Sequence, residues 1–498
     1  VSTVRALSSI LLPGACALLA ACFGPAHVRS LPGAQLPLTP TPEAPFRAVA
    51  PEVKRERLMA VPEVHSSKLE NGMSILVVER PDLPFATLIY ASDAAHDGAS
   101  LDTAGLASLV ARTLVEAVHT PDGSVDRDPN LDGDTPSIGT NRLGTRIEVT
   151  ATTDRVPAAI ELLARVVRQP ALDETALENA RGAALRRLSD KSAKFRAIMN
   201  RLALLPLYGD RSWITQSPSR RKAAVSKLSA FAVRAFHARR YLPHRSALIV
   251  VGQVTAGGVT SLANAAFGSW RSPADVDAGQ TIDDAPPAPA PLEQDGPLEI
   301  RGVKGLDGQA RFTIALPCLG TSDPDDVVFD LIAELLGRGL NSRGMLTLRH
   351  AVGDSYYVVA RCEERMKSGE FFIDFDVKAE RAGDSLEGML RELDRLRQSP
   401  PSDAETVMAK RSLLGYLAAG FVSNAGLARR VATSYLHRRQ GDYLATLEDR
   451  IQAISPADVQ RIAGKYLRRS ATGIAVYGDP RILDAQLARF GRVIWMPE

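Results

Sequence analysis

Histidine and cysteine are scarce in this chain: its 498 residues hold eight of the first and four of the second. Zinc sites draw on these two residues at close spacing. Here His27, His65, His96, His119, His237, His244, His350 and His437 are so spread that no two lie within four residues. Neither His-x-x-Glu-His, in either direction, nor Cys-x-x-Cys occurs. Aromatic residues make up only 5%, which excludes a base-stacking platform. The net charge of +3, with Lys and Arg scattered, excludes the footprint of a nucleic-acid binder. Apolar content of 45% against 23% charged residues fits an ordinary globular protein, long enough for more than one domain.

Long apolar runs are also lacking. The run Ala15 to Ala21 follows Arg5 and is too short to span a bilayer, so residues 1–21 read as a targeting segment. Leu19-Ala20-Ala21-Cys22 resembles the lipobox of bacterial lipoproteins, which implies lipidation at Cys22. Phe at position 23 resembles the outer-membrane sorting pattern, and implies a lipid anchor facing the periplasm. Residues 22–62 are rich in Pro and Ala and read as a tether, with order beginning near Val64. Of the remaining cysteines, Cys318 and Cys362 admit either a disulfide or two buried thiols.

What is present is periodicity. Lys68–Glu79 reads as a hairpin turning at Asn71-Gly72, followed by strands at Ala86–Ala91, Gly144–Thr152 and Ala247–Val251. Helices are expected over Val156–Arg168, Glu174–Lys191 and Ser226–Arg240. The stretch Gly105–Leu114 reads as a helix in which Leu106, Leu109, Val110, Thr113, Leu114 and Ala117 share one face. Ser108, Ala111 and Arg112 share another, at a spacing suited to two metal ligands and a carboxylate, but with none of those groups present. Asp128-Pro-Asn130-Leu-Asp132-Gly133 matches the start of a calcium loop, yet Gly139 falls where a bidentate carboxylate is required, so it reads as a solvated loop.

The chain also repeats itself. Leu228 to Tyr241-Leu242 runs into the strand Ser246–Gly252, and Ile454 to Tyr466-Leu467 runs into Ser470–Gly478. A Pro-rich stretch at 272–297 separates the two units. The expected organisation is therefore two α+β domains of one kind, at 63–271 and 298–498.

Leu69-x-Asn71-Gly72-Met73-x-Ile75, followed by Gly105-Leu106-Ala107, resembles the pitrilysin/insulinase family of zinc metallopeptidases, the inverzincins. The resemblance covers about residues 64–485 and implies two homologous α+β domains forming a clamshell around an extended substrate. In active members His-x-x-Glu-His follows Gly-Leu-Ala, the His pair binding zinc and the Glu acting as general base. By that resemblance Ser108, Ala111 and Arg112 stand at the His, Glu and His positions. Serine is a poor ligand, alanine takes no proton, and arginine repels a dication. Pro170 through Arg181 resembles the region of the third ligand, which puts Glu178 at that position, a remnant that alone cannot retain zinc. Ser108 has no Gly-x-Ser-x-Gly elbow around it and no visible base partner, which argues against a nucleophile.

Arg349-His-Ala-Val-Gly-Asp-Ser-Tyr356, preceded by Leu340-Asn341-Ser342-Arg343, resembles the family's Arg/Tyr motif, whose two side chains reach the substrate. Arginine offers forked donors to a carbonyl or carboxylate, and tyrosine can donate to an oxyanion. Read from the residues alone, without the resemblance, Arg349 is a helix-end arginine pairing with a local acid such as Asp354, and Tyr356 belongs to the core. Loss of the metal set beside a retained Arg349 and Tyr356 resembles the non-catalytic subunit of a heterodimeric peptidase. That resemblance implies no cofactor in this chain, zinc in a homologous partner subunit, and a peptide or unfolded-protein substrate. The alternative expectation is a catalytically dead peptide-binding or scaffold lipoprotein.

Overall fold

The structure is a computed structural model that describes residues 58–59, 61–95, 103–116, 136–170, 172–210, 212–273, 298–305, 308–350, 353, 355–439 and 441–496. The chain divides into residues 1–56, which lie outside that set, and a unit over 57–498. Cys22, the targeting segment, the calcium-like loop, Asp354 and residues 274–297 also lie outside the described residues. Among the described residues no helix is long and apolar enough to cross a membrane.

The hairpin forms as its turn chemistry requires. Gly72 has φ +87°, a left-handed conformation that favours glycine. Asn71 Oδ1 accepts from Met73 N at 3.1 Å, and its Nδ2 donates to the Phe267 carbonyl at 2.8 Å. The turn joins β1 (His65–Lys68) to β2 (Ser74–Glu79). With β3 (Phe85–Ser92), β4 (Ser137–Thr140), β5 (Thr145–Thr152) and β6 (Ser246–Gly252) they form a sheet ordered β1-β2-β6-β3-β5-β4. All seven residues of β6 are buried, which explains its continuous apolar run.

Helix α1 (Leu106–Glu116) follows β3. After β5 come α2 (Val156–Arg168), α3 (Glu174–Ser189), α4 (Lys191–Tyr208), α5 (Pro218–Lys227) and α6 (Ala230–Arg240), and after β6 comes α7 (Ala256–Phe267). The expected helix over Ser226–Arg240 is two helices, because the Ser229 hydroxyl caps a new start by accepting from Ala232 N at 3.2 Å. Asp190 does the same for α4, accepting from Ala193 N at 2.8 Å, so the helix expected to reach Lys191 ends at Ser189.

The second half repeats this plan. Strands β7 (Ile300–Lys304), β8 (Gln309–Leu319), β9 (Val358–Glu364), β10 (Ser368–Lys378), β11 (Gly473–Gly478) and β12 (Val493–Met496) are ordered β12-β7-β11-β8-β10-β9. Strands β7, β11, β8, β10 and β9 occupy the places of β2, β6, β3, β5 and β4. The sixth strand differs: β1 lies antiparallel to β2, whereas β12 lies parallel to β7. Helix α8 (Asp326–Gly337) corresponds to α1. Helices α9 (Ala382–Gln398), α10 (Asp403–Ala419), α11 (Asn424–Leu436), α12 (Tyr443–Ala453), α13 (Pro456–Tyr466) and α14 (Pro480–Leu487) follow in the same sequence relative to their strands.

The halves are joined by exchange. Helix α4 leaves its own sheet and packs on β11 and β8, while its counterpart α11 packs on β3 and β6. Leu202, Leu204, Leu205 and Leu207 of α4 share a buried cluster with Val303, Ala315, Phe372 and Ala475 of the second sheet. The segment before β1 is docked earlier than Val64: the Leu58 and Met59 amides donate to Glu448 Oε1 and Oε2 at 3.0 and 2.9 Å. Cys318 on β8 and Cys362 on β9 are free thiols in hydrogen-bonding contact, and burial pushes both thiols up.

Candidate functional site

Helix α1 starts at a close backbone approach. Gly105 has φ +90°, and a Cβ there would lie 2.7 Å from Val225 Cγ2 of α5. The apolar stripe then does what its periodicity dictates: Leu106, Leu109, Val110, Thr113 and Leu114 are buried, and the helix packs on α3 and α6. Ala111 is fully buried in the same packing. Ser108 and Arg112 lie on the open side of the helix and line a cavity of about 440 Å³.

The cavity is built from both halves. Its wall includes Thr140–Arg142 of the β4–β5 connection, Arg187 of α3, Lys194 and Arg201 of α4, Arg221 of α5, and Glu363 of β9. Six cations, Arg112 included, therefore share the lining with one carboxylate, Glu363. Two of the six are neutralised locally. Arg142 pairs with Glu363 at 2.9 Å and with Glu370, and Arg201 binds Asp210 Oδ1 and the Thr215 carbonyl, both at 2.7 Å. Arg112, Arg187, Lys194 and Arg221 make no ion pair among the described residues. Burial, and then the neighbouring Arg187, lowers Arg112 from its ordinary value. Burial and then Arg142 do the same to Arg221.

This donor set does not fit zinc. Among the described residues no group of three or more His, Cys, Asp or Glu is placed to hold a metal. Glu178 sits on the exposed side of α3, where Arg181 Nη1 holds its carboxylate at 2.9 Å, and it does not line the cavity. Of the positions singled out from sequence, the cavity brings together Ser108 and Arg112 and leaves out Ala111 and Glu178.

Arg349 and Tyr356 stand elsewhere. Arg349 is exposed on a π-helical turn, Leu346–His350, that continues the short helix Arg343–Met345. That helix is fixed by Arg343 Nε against Glu405 Oε1 at 2.9 Å. The backbone then folds back on itself: Gly353 N donates to the Arg349 carbonyl at 2.8 Å and Ser355 N to Leu348 at 3.3 Å. Tyr356 is 86% exposed, so it is a surface residue rather than a core one, and neither it nor Arg349 lines the cavity.

The converging cations Arg142, Arg187, Lys194 and Arg221 were not singled out from sequence. The available signal was a basic residue on each of three successive helices; what sequence does not give is that these helices surround one space.

Comparison with known proteins bears on this arrangement. Residues 227–413 match the family described as Peptidase M16 inactive domain. Uncharacterized zinc proteases of Mycobacterium bovis and Mycobacterium tuberculosis are each 23% identical over 270 residues. That stretch is 53% of this chain and 59% of theirs. A peptidase M16 inactive domain from Pseudomonas fluorescens superposes with a TM-score of 0.69 at 21% identity, covering 84% of this chain and 98% of that one. A protease from Helicobacter pylori gives a TM-score of 0.72 at 15% identity, covering 84% and 100%.

Proposed function

We propose that this chain, which belongs to the pitrilysin/insulinase family, is the non-catalytic subunit of a two-chain zinc peptidase. The match of residues 227–413 to the inactive-domain description supports a peptidase-like homologue without its own catalysis. The finer reading has a homologous partner carry the zinc and the general base, while this chain contributes substrate binding. The observation that carries it is the cavity itself: Arg112 and Ser108 face a space ringed by cations, where a zinc site would need His and carboxylate. Arg349 and Tyr356 remain exposed, with a guanidinium and a phenol free to meet a peptide carbonyl or carboxylate. Lipidation at Cys22 would attach the pair to the outer membrane on its periplasmic side, with peptides or unfolded proteins as substrate.

The test is affinity purification of the tagged full chain from its native membranes. The expected result is a stoichiometric partner with His-x-x-Glu-His, bound zinc, and peptide hydrolysis that falls on Arg349→Ala. Recovery of the chain without such a partner, still binding peptides, would overturn the subunit reading in favour of a peptide-binding scaffold.

A further inference from the structure

The cavity under α1 has its own chemistry, whatever partner the chain takes. Four cations from four different helices, Arg112, Arg187, Lys194 and Arg221, point their charge at one space and make no ion pair among the described residues. The lining holds one carboxylate, Glu363, and Arg142 grips it at 2.9 Å. Arg112 and Arg221 are half-buried while Arg187 and Lys194 stand exposed, so like charges gather around this space and the two inner ones also lose hydration. Such an arrangement is relieved by an anion that accepts from several guanidinium groups together, as carboxylate and phosphate do in forked geometry. Ala197, Leu204 and Val225 supply an apolar wall between the charges. The volume of about 440 Å³ lies in the range of small-ligand pockets, about 300–1,000 Å³.

We propose that this cavity binds a small anion bearing two or more carboxylate or phosphate groups. One charge would leave most of the four cations uncompensated; clustered oxyanions match them. The site needs only this chain, so its test is independent of whether a zinc-bearing partner exists.

The experiment is isothermal titration calorimetry on the full chain at fixed ionic strength, with tri-glutamate, tripolyphosphate and the neutral tri-glutamine as probes. Saturable binding of either anion, but not of tri-glutamine, is expected. Arg112→Gln and Arg221→Gln should each weaken it by about tenfold. Arg220→Gln, on the same helix but outside the lining and 58% exposed, should leave it unchanged. Preference for tri-glutamate assigns an acidic peptide, and preference for tripolyphosphate a phosphate compound. Should either cavity variant unfold, ligand-dependent thermal stabilisation of the exposed Lys194→Gln variant, reduced relative to the native chain, serves instead. The proposal is overturned if neither anion saturates, if tri-glutamine binds equally, or if Arg220→Gln weakens binding as much as the cavity variants.

Discussion

Arg142 of the first half holds Glu363 of the second at 2.9 Å and reaches past it to Glu370. Glu370 is completely buried, and it also accepts from Arg365 Nη1 at 2.8 Å and from the Tyr208 hydroxyl at 2.8 Å. One carboxylate thus ties the edge of the cavity to the second sheet.

Glu370→Ala should therefore destabilise the chain by about 3–5 kcal/mol, because it strands buried Arg365 without its counter-charge and leaves half-buried Arg142 only Glu363. Denaturant unfolding measures this. Burial alone would raise the Glu370 carboxyl, but Arg142 and then Arg365 outweigh it and hold it below the usual value. Its contribution is thus full above the ordinary glutamate range and is lost as pH falls through the lowered value. Acid unfolding of the native chain should show this loss, and Glu370→Ala should flatten it.

Glu364 behaves in the opposite sense. Burial and then the neighbouring Asp330 push it from 4.5 up to about 8, against the pull of Arg439. Its protonated form is favoured in the fold, so its contribution is full below 4.5 and disappears as pH rises towards 8. His437, 3.7 Å away, is pushed by burial down to about 3 and stays neutral across that window, so it does not replace the proton. Glu364→Gln should raise the urea midpoint at pH 8 relative to the native chain and leave it nearly unchanged at pH 4.

The exchanged helices rest on glycine. A Cβ at Gly473 of β11 would lie 1.8 Å from the Ala203 carbonyl oxygen of α4. At Gly144, a Cβ would lie 2.2 Å from the Ser92 carbonyl oxygen and 2.8 Å from Leu436 of α11. Gly473→Ala should cost about 1–3 kcal/mol or more, since backbone rather than a side chain must move. Leu202→Ala, in the same cluster, should cost about 2–5 kcal/mol. Thermal unfolding reads both.

The α1 stripe, the Asn71-Gly72 turn and the two helix-to-strand units were legible because each is local: a 3.6-residue period, a turn residue that favours positive φ, and a buried run of one strand. The exchange of α4 and α11 was not. Helix α4 places Leu202, Ala203, Leu204, Leu205 and Leu207 on more than one face, which marks burial but not whose sheet provides it. The cation ring was hidden for the same reason. Arg187, Lys194 and Arg221 lie on three successive helices and each taken singly reads as a solvated surface charge, while Arg112 was singled out only as a motif position. The docking of Leu58 and Met59 was not legible because their contacts are with Glu448, far along the chain.

Restoring the motif residues should not restore a metal site. Ser108→His, Ala111→Glu and Arg112→His together place a glutamate where Ala111 is fully buried, and leave Arg187, Lys194 and Arg221 around the pocket. The third position, Glu178, remains paired with Arg181 outside the lining. Metal analysis of this triple variant should find zinc well below one per chain.

The most direct test of the proposed non-catalytic role is zinc content and peptide hydrolysis, measured on the purified full chain alone and again with the zinc-bearing homologue proposed as its partner. The chain alone should be zinc-poor and inactive. Mixing should produce hydrolysis that Tyr356→Phe lowers by about tenfold, the scale of one lost hydrogen bond to an oxyanion. Stoichiometric zinc with hydrolysis by the chain alone would contradict the account.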